Sequence, residues 1–534
     1  MKRLAWAVSL GLLTLGCIGG RSRPAGDALD PVERALAAVG GAEKVAAIET
    51  LTVKGSAKQW EPEQSVKADG EPRFANDATF VATRSLASGA ARIEWVKNYV
   101  YPSPREYRFT EIVTPIAGCV LGIDSTARTK QSLESNPPRH AMSGVRLAAT
   151  QRELARTSPR LLLDMRSHRG QLTRLPDVTI GEKSLPAVSY RAGDVEFIVL
   201  FDRETGLPAR VRTLDADNIH GDSTYDLVLD DWRDAGGIKM PHSQRYELAG
   251  IEVARIAYDD VRVNAPLPAG AFQMPADVLA SARKPATENV PYQWVLRRQH
   301  IGTYLDSDAV SFDAASGGFR LAEVAPGVSQ VVGGSHNSLV VEMTDHLVVL
   351  DAPVGESQSR WTLDAARAKY PGKPVKYLVL SHHHMDHAGG ARTYVAEGAT
   401  VLVGAGNGPH FAKVFSAPHR VDRDALETRP RRAEIVEVED KKVLSDGKRS
   451  LEIHRIDNPH AEGMLIAYLP DAKLGFVVDL WSPGRDKLGD KPTPGQAALV
   501  AAVKKRGLTL ERFAGGHGTV ADYAPLEALA SAER

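Results

Sequence analysis

The first half of the chain alternates hydrophobic and polar residues with a period of two. Stretches such as Val195/Phe197/Val199/Phe201 and Tyr225/Leu227/Leu229 recur between residues 50 and 263, and turn-forming runs such as Asp234-Ala235-Gly236-Gly237 separate them. This pattern is typical of antiparallel strands that bury one face of a sheet. One helical passage, residues 145–165, interrupts the strands. We therefore predict an antiparallel, half-open β-barrel-like domain with a helix against it over residues 30–275.

The second half alternates strand-like and helical segments instead. Apolar runs at 328–332 and 339–350 favour strands, and residues 361–369 favour a helix that ends at Pro371-Gly372. Strands that alternate with helices predict a layered α/β domain, which we place at residues 319–534. Prolines accumulate between the two halves and predict a linker over residues 276–318.

A histidine-rich motif follows the apolar run 375–380. It reads His382-x-His384-x-Asp386-His387 and is followed by Gly389-Gly390. Neutral imidazole and carboxylate are the side chains that zinc binds when no thiolate is present. Because four such side chains lie within six positions, the motif predicts a metal site at the end of a buried strand.

Three later segments supply further ligands of the same kind. His460, Asp479 and His517 each follow a strand-like run, which is where loops carry functional residues. Seven imidazole and carboxylate ligands suffice for two zinc ions that share a bridging hydroxide, and iron or manganese suits the same ligands. We expect Asp386 to orient that hydroxide before it attacks the substrate. Other histidines, His336, His410, His419 and His454, are expected to be ordinary loop or packing residues.

Composition bounds the class of protein. The 534 residues carry 66 basic and 66 acidic side chains, and 43% of them are hydrophobic. This is the composition of a soluble globular protein of about two to four domains. A net charge of zero without a basic stripe gives no reason to expect nucleic-acid binding, so a small-molecule substrate is the expected partner.

The N-terminus has the pattern of an export signal. Lys2 and Arg3 precede a short apolar stretch that ends at Gly16-Cys17, which resembles the lipobox of bacterial lipoproteins. We predict a signal peptide over residues 1–18, a lipid on Cys17 that anchors the chain to a membrane, and a tether over residues 19–29. Asp30-Pro31 then has the sequence of a helix start. The expected location is the cell envelope, facing the periplasm as an outer-membrane lipoprotein; secretion is the alternative.

The second half resembles the metallo-β-lactamase superfamily of metal-dependent hydrolases, whose fold is an αββα sandwich. The resemblance rests on the complete His382-x-His384-x-Asp386-His387 motif. It implies that His382, His384 and His460 bind one zinc, that Asp386, His387 and His517 bind the second, and that Asp479 bridges them. It also implies that Gly389 and Gly390 let the helix backbone approach closely.

One departure from the pattern of the β-lactamase members restricts the classes of substrate that we expect. Zinc β-lactamases usually carry Cys or Ser at the position of Asp479. A bridging carboxylate at this position resembles the metal sites of the thioesterase, lactonase, sulfatase and phosphoesterase branches of the superfamily. We therefore predict hydrolysis of an ester, thioester, lactone or related bond.

Two alternatives remain open from the sequence. The first alternative is that the chain is a β-lactamase proper. In the second it is a lipid- or lipoprotein-binding envelope protein with a structural metal, because residues 30–275 resemble the carriers and receptors that sort bacterial lipoproteins.

Overall fold

The computed structural model describes residues 25–125, 137–288, 290–302, 319–334 and 336–532. The predicted signal peptide and Cys17 lie outside these residues. Among the described residues, no helix has both the length and the apolar character needed to cross a membrane.

The first half is built on one 13-stranded sheet in which every neighbouring pair of strands is antiparallel. The strands, in chain order, are β1 Thr50–Glu61, β2 Arg73–Ser85, β3 Ala90–Tyr99, β4 Arg105–Val113, β5 Gly118–Gly122, β6 Arg139–Ala141, β7 Leu172–Ile180, β8 Lys183–Ala192, β9 Val195–Phe201, β10 Pro208–Asp217, β11 Gly221–Ala235, β12 Ile238–Leu248 and β13 Ile251–Val263. Their spatial order is β6-β5-β4-β3-β2-β1-β13-β12-β11-β10-β9-β8-β7. The edge strands β6 and β7 are not paired with each other in the described part of the chain, so this sheet is open.

Helices cover the apolar face of this sheet. They are α1 Ala25–Ala38, α2 Ala42–Ala46, α3 Gly144–Arg156 and α4 Leu161–Ser167. The predicted single helix over residues 145–165 is therefore two helices, since the chain breaks at Ser158-Pro159. Val32 and Leu36 of α1 are buried with Val53 of the sheet and Leu162 of α4 in one core.

The first helix starts earlier than the sequence predicted. It begins at Ala25, contains Pro31, and includes residues that we had assigned to the tether. Ala28 is 1% exposed and lies one turn before Val32, which is fully buried. Because the apolar stripe extends across Asp30, packing on the sheet outweighs the local start signal at Asp30-Pro31.

The predicted linker also contains packed helices. These are α5 Ala276–Ala280 and α6 Tyr292–Ile301. Helix α6 packs on α3 and on β1, and its residues Arg297 and Gln293 are completely buried. Residues 276–288 and 290–302 are thus part of the folded structure, and residues 289 and 303–318 lie outside the described ones.

The second half contains two sheets between helices. The seven-stranded sheet has the order β14 Arg320–Ala325, β15 Val328–Val332, β16 Ser338–Glu342, β17 Leu347–Leu350, β18 Val375–Val379, β19 Thr400–Gly404 and β20 Glu434–Val438. The six-stranded sheet has the order β21 Lys441–Ser445, β22 Ser450–Arg455, β23 Leu465–Leu469, β24 Leu474–Val477, β25 Arg512–Gly515 and β26 Val520–Asp522. The helices are α7 Glu356–Lys369, α8 Met385–Ala388, α9 Ala391–Glu397, α10 Gly408–Ser416, α11 Ala425–Thr428, α12 Pro494–Arg506 and α13 Ala524–Ser531.

Alternate residues of the strands separate two cores. On β16, Leu339 and Val341 face the six-stranded sheet, whereas Val340 faces the helical layer that contains Tyr394 and Phe411. Leu499 of α12 is buried in the same core as the strands of the six-stranded sheet. This layering is the predicted αββα sandwich, and it brings the loops that follow β18, β22, β24 and β25 to one region.

Candidate metal centre

The histidine motif begins where strand β18 ends. β18 is parallel to its neighbours β17 and β19, and the chain leaves it through Leu380-Ser381 into helix α8. His460 follows β22, Asp479 follows β24 and His517 follows β25. The structure therefore collects all seven predicted ligand residues at one edge of the sandwich, in the two groups described below.

The first group contains His382, His384, His460 and Asp479, whose ligand atoms all lie within 4.8 Å of one another. Nε2 of His382 is 3.2 Å from Oδ2 of Asp479. Nε2 of His460 is 3.1 Å from the same oxygen. Nδ1 of His384 is 3.1 Å from Nε2 of His460. Two imidazole nitrogens thus contact one carboxylate oxygen, and the third lies beside the nitrogen of His460.

The second group contains Asp386, His387, His517 and His336. Asp479 also contacts this group, because its Oδ1 is 2.6 Å from Nε2 of His517 and its Oδ2 is 3.1 Å from Nε2 of His387. One carboxylate therefore touches histidines of both groups, as a bridging ligand must.

His336 was wrongly expected to be an ordinary loop residue. Its Nε2 lies 3.0 Å from Oδ2 of Asp386, and the side chain is almost completely buried. His336 follows the buried strand β15, just as the predicted ligands follow theirs. That position after a strand is the sequence signal that could have identified it. His383, in contrast, belongs to neither group.

Two buried ring nitrogens indicate that the site fits a metal. Among the described residues, Nε2 of His382 and Nε2 of His387 make no well-aligned hydrogen bond, although each lies 3.1–3.2 Å from Oδ2 of Asp479. A buried polar atom without a partner costs about 1–3 kcal/mol. A divalent cation held between these nitrogens and the carboxylate removes that cost, and imidazole with carboxylate is a suitable donor set for zinc.

The other ring nitrogens of these histidines have partners that fix the orientation of each ring. Nδ1 of His387 lies 2.9 Å from Oδ2 of Asp351. Nδ1 of His382 lies 3.1 Å from the Ser381 hydroxyl, which itself donates to Asp351 at 2.9 Å. Such outer contacts select the tautomer that leaves the second nitrogen free for a metal.

Burial and charge set the protonation of the ligands. Burial lowers the pKa of His382 to about 4 and holds the pKa of His384 well below its usual range, so both imidazoles are neutral at pH 7. Burial also opposes protonation of His387, but Asp479 and Asp351 together raise its pKa well above the ordinary value. Binding of a cation at His387 must therefore displace a proton.

The two glycines after the motif allow a close backbone approach, as predicted, and the approach is to residues near the start of α7. A Cβ on Gly389 would lie 2.1 Å from the Val354 carbonyl oxygen, and one on Gly390 would lie 2.1 Å from the Ser359 hydroxyl. The glycines let the helix approach the loop before α7 and the first turn of α7.

The first half of the chain forms one wall of this centre. The segment after β1 places the side-chain amide of Gln64 so that it donates to Oδ1 of Asp386 at 2.7 Å. The carbonyl oxygen of Ser65 accepts from Nε2 of His384 at 2.8 Å and from Nε2 of His383 at 2.9 Å. Nδ1 of His384 therefore faces the first group.

A buried ion network holds that segment in place. Arg297 of α6 donates to Glu63 at 2.9 Å and to Asp217 at 2.9 Å, and it also pairs with Glu61. Burial raises the pKa of Glu63 well above its usual range; Arg297 opposes this rise, and the nearby carboxylates of Asp217 and Glu61 add to it. Glu63, Asp217 and His220 lie close enough to hold an ion, but the guanidinium of Arg297 already pairs with both carboxylates.

The exposed side of the centre is formed by only some of the ligands. The side chains of His382 and His387 are completely buried, whereas Asp386 is 18% exposed and His460 16% exposed. Asp479 and His517 are each 13% exposed. A substrate can approach from the side of these four residues, as at catalytic metal sites.

Comparisons with known proteins find similarity in the second half of the chain. Residues 331–517 match the family model described as the metallo-beta-lactamase superfamily. An (R)-specific secondary-alkylsulfatase of a Pseudomonas species is 35% identical over 107 residues, which are 20% of this chain and 16% of that protein. The chain thus spans a small part of this relative.

Two solved structures illustrate the structural likeness. The stereoselective inverting sec-alkylsulfatase of a Pseudomonas species is 19% identical, with a TM-score of 0.29 and coverage of 40% of each chain. A metallo-beta-lactamase from Pontibacter korlensis is 17% identical, with a TM-score of 0.30 and coverage of 40% of this chain and 97% of that one.

Proposed function

Residues 331–517 form a domain of the metallo-β-lactamase superfamily, and from this premise we propose that the protein is a two-metal hydrolase of ester-type bonds. The observation that carries the proposal is the position of Asp479. Its two oxygens lie 2.6–3.2 Å from imidazole nitrogens of four histidines that belong to two ligand groups. Two cations that share a carboxylate form the arrangement in which a hydrolase clamps the attacking and leaving oxygens.

The residues divide into two ligand sets with one shared member. His382, His384 and His460 would hold one ion, and Asp386, His387 and His517 would hold the second. Zinc is the proposed metal for both positions, and iron or manganese fits the same donors. When bound, two such ions supply an electrophile for a substrate oxygen and a water of lowered pKa as the nucleophile.

Asp386 has a second proposed role, in orienting the nucleophile. Burial opposes its ionisation, but the hydrogen bond from His336 and the charge of His387 hold the pKa of Asp386 well below its usual value. The carboxylate therefore stays ionised and accepts hydrogen bonds. Gln64 and His336 fix its two oxygens at 2.7 Å and 3.0 Å, so it presents one defined orientation to a water in the cleft.

The proposed substrate is an ester of an organic or inorganic acid, and sulfate esters are the first class to test. The relative of 35% identity is a secondary-alkylsulfatase. A carboxylate at the position of Asp479 supports ester, thioester or lactone hydrolysis over β-lactam hydrolysis. Rapid turnover of a carbapenem by the purified protein would instead revive the β-lactamase alternative.

We also propose that the chain is anchored in the cell envelope through Cys17 and faces the periplasm. The support is the sequence of residues 1–18 alone. Labelling with a palmitate analogue in a bacterial host should mark the wild type and not the Cys17→Ser variant. Labelling of both proteins equally would argue against lipid on Cys17.

Metal analysis combined with turnover tests the enzyme. The purified protein should contain about two divalent ions and hydrolyse at least one member of a panel of sulfate esters, carboxylic esters, thioesters, lactones and phosphodiesters. His384→Ala should lose metal and activity together, whereas His168→Ala, at a solvent-exposed histidine far from the centre, should lose neither. Full turnover by a His384→Ala protein shown to lack metal would refute the proposal, and two tightly held ions with no turnover on any ester would favour a structural metal.

A further inference from the structure

The 13-stranded sheet and the helices on its apolar face enclose a cavity of about 180 Å³. Phe80, Trp95, Trp232, Met240 and Tyr258 are among the side chains that line it. A closed apolar core normally has few voids larger than one water molecule. A space of this size inside a packed domain is therefore a feature that needs a physical account.

The residues that line the cavity determine which kind of ligand it can bind. Its lining is mostly aromatic and aliphatic, and such cavities stay dry because water finds few partners there. A cavity of roughly 150 Å³ lined by apolar residues holds benzene. By the same ratio, the space here encloses about seven carbons. Because it is partly open, it suits a hydrocarbon chain of about eight to ten carbons whose last carbons reach the opening.

One wall residue carries a charge without a counter-charge. The guanidinium of Arg84 donates to the hydroxyl of Thr157 at 3.2 Å and to the backbone carbonyls of Thr157 and Leu154. All of these acceptors are neutral, and no described carboxylate lies within ion-pair distance of Arg84. Arg84 is half-buried, and burial lowers its pKa to about 10.

A neighbouring arginine shows that this is unusual for the region. Arg156 also lines the cavity, but it pairs with Glu153 at 3.3 Å and donates to the carbonyl of Val211 at 2.7 Å. Buried charges in proteins are normally paired in this manner. Arg84 has the environment of a cation whose partner is a ligand. The exposed Lys239 adds a second positive charge to the lining.

We propose that this cavity binds a single-chain alkyl anion of about eight to ten carbons, with the chain against the packed rings of Phe80 and Trp95 and the anionic head at Arg84. The proposed site is separate from the metal centre. Val53 lines the cavity and Glu61 ends the same strand next to the metal wall, and eight residues of strand span about 26 Å. A chain of this length cannot occupy both sites at once.

Binding of decanoate to the full chain tests the site directly. Titration should show one saturable site by calorimetry, together with a change in tryptophan fluorescence, because Trp95 and Trp232 line the cavity. Decyltrimethylammonium, with the same chain and a cationic head, should bind at least tenfold more weakly. Absence of saturable decanoate binding, or equal binding of both amphiphiles, would overturn the proposal.

Two variants distinguish the contribution of the alkyl chain to binding from that of the anionic head. Ala82→Phe places a ring in the cavity and should weaken decanoate binding at least tenfold while leaving esterase turnover unchanged. The matched control, Ala257→Phe, adds the same ring at an exposed position of β13 and should bind as the wild type does. Unchanged binding by Ala82→Phe would place decanoate elsewhere and refute the site.

Arg84→Met keeps an unbranched apolar stem and removes the charge. It should lower decanoate affinity and abolish the preference for decanoate over decyltrimethylammonium. A preserved preference would refute the role of Arg84. If this variant does not fold, the comparison of the two amphiphiles on the wild type still decides whether the site selects an anion.

Discussion

The side-chain amide of Gln64 donates a hydrogen bond of 2.7 Å to Oδ1 of Asp386, across 322 positions of sequence. This bond joins the segment after strand β1 of the first half to the histidine motif of the second. The hydroxyl of Tyr101 in turn contacts Oε1 of Gln64, which leaves the amide nitrogen directed at Asp386. The first half therefore supplies part of the centre and does more than support it from a distance.

Gln64→Ala should lower kcat about 10- to 100-fold, because outer contacts to metal ligands typically contribute that much. The variant leaves Oδ1 of Asp386 without its donor, so the carboxylate loses one of the two contacts that fix it. Steady-state kinetics on the best ester substrate, with metal content measured in parallel, checks this. Gln273→Ala changes an exposed glutamine outside the centre and is the matched control. A Gln64→Ala protein with wild-type kinetics and metal content would show that the bond is incidental.

The chemistry of the centre was predictable from the sequence where ligand types are distinctive. His382, His384, Asp386 and His387 are close in sequence, and their residue types are those of metal ligands. Gln64 and Ser65 carry no such signature, since an amide and a backbone carbonyl are common to every loop. Their contact with Asp386 and His384 depends on how two halves of the chain pack, which periodicity does not encode.

The fold, too, was predictable where the signal is local in the sequence and was not predictable where it depends on long-range packing. Alternation predicted the antiparallel strands because it reports directly which face each strand buries. The start of α1 was misplaced because Asp30 and Pro31 form a good local start signal, whereas Ala28 and Val32 pack on a sheet formed by residues far along the chain. Local sequence does not contain that packing energy.

His336→Asn should weaken binding of the second metal ion about 10- to 100-fold and leave the first ion in place. The reason is that His336 contacts Asp386 at 3.0 Å and has no place among the ligands of the first group. Titration of the metal-free protein with zinc, followed by competition with a chromophoric chelator, measures both affinities. Equal weakening of both ions, or of neither, would contradict this assignment. His454→Asn replaces a buried histidine outside both groups and controls for a loss of packing.

Lys97 should make the folded state more stable as the pH rises from 8 to 10. Burial lowers the pKa of Lys97 to about 8, although Glu111 counteracts part of the effect. The unfolded chain has the ordinary pKa of about 10.4, so between these values it binds more protons than the folded chain. The free energy of unfolding then increases with pH, by on the order of 2 kcal/mol over two pH units.

Urea unfolding of the wild type and Lys97→Met at pH 8 and pH 10 isolates this contribution. The difference between the two proteins removes the effect of the other titrating lysines and tyrosines. Lys97→Met should lack the increase, and Lys58→Met, at an exposed lysine of β1, should retain it. An identical pH response of wild type and Lys97→Met would mean that Lys97 titrates normally.

Arg297→Met should destabilise the protein by about 3–5 kcal/mol, because removal of one partner leaves buried carboxylates uncompensated. Arg297 is completely buried and pairs with Glu61, Glu63 and Asp217, all of them buried too. The same change should lower kcat, since Glu63 immediately precedes Gln64 at the metal centre. Arg262→Met breaks an exposed pair with Asp260 and should cost less than about 1 kcal/mol. Chemical unfolding, with turnover measured well below the transition, separates the two effects. A destabilised Arg297→Met protein with undiminished kcat would show that the network supports the fold without positioning Gln64.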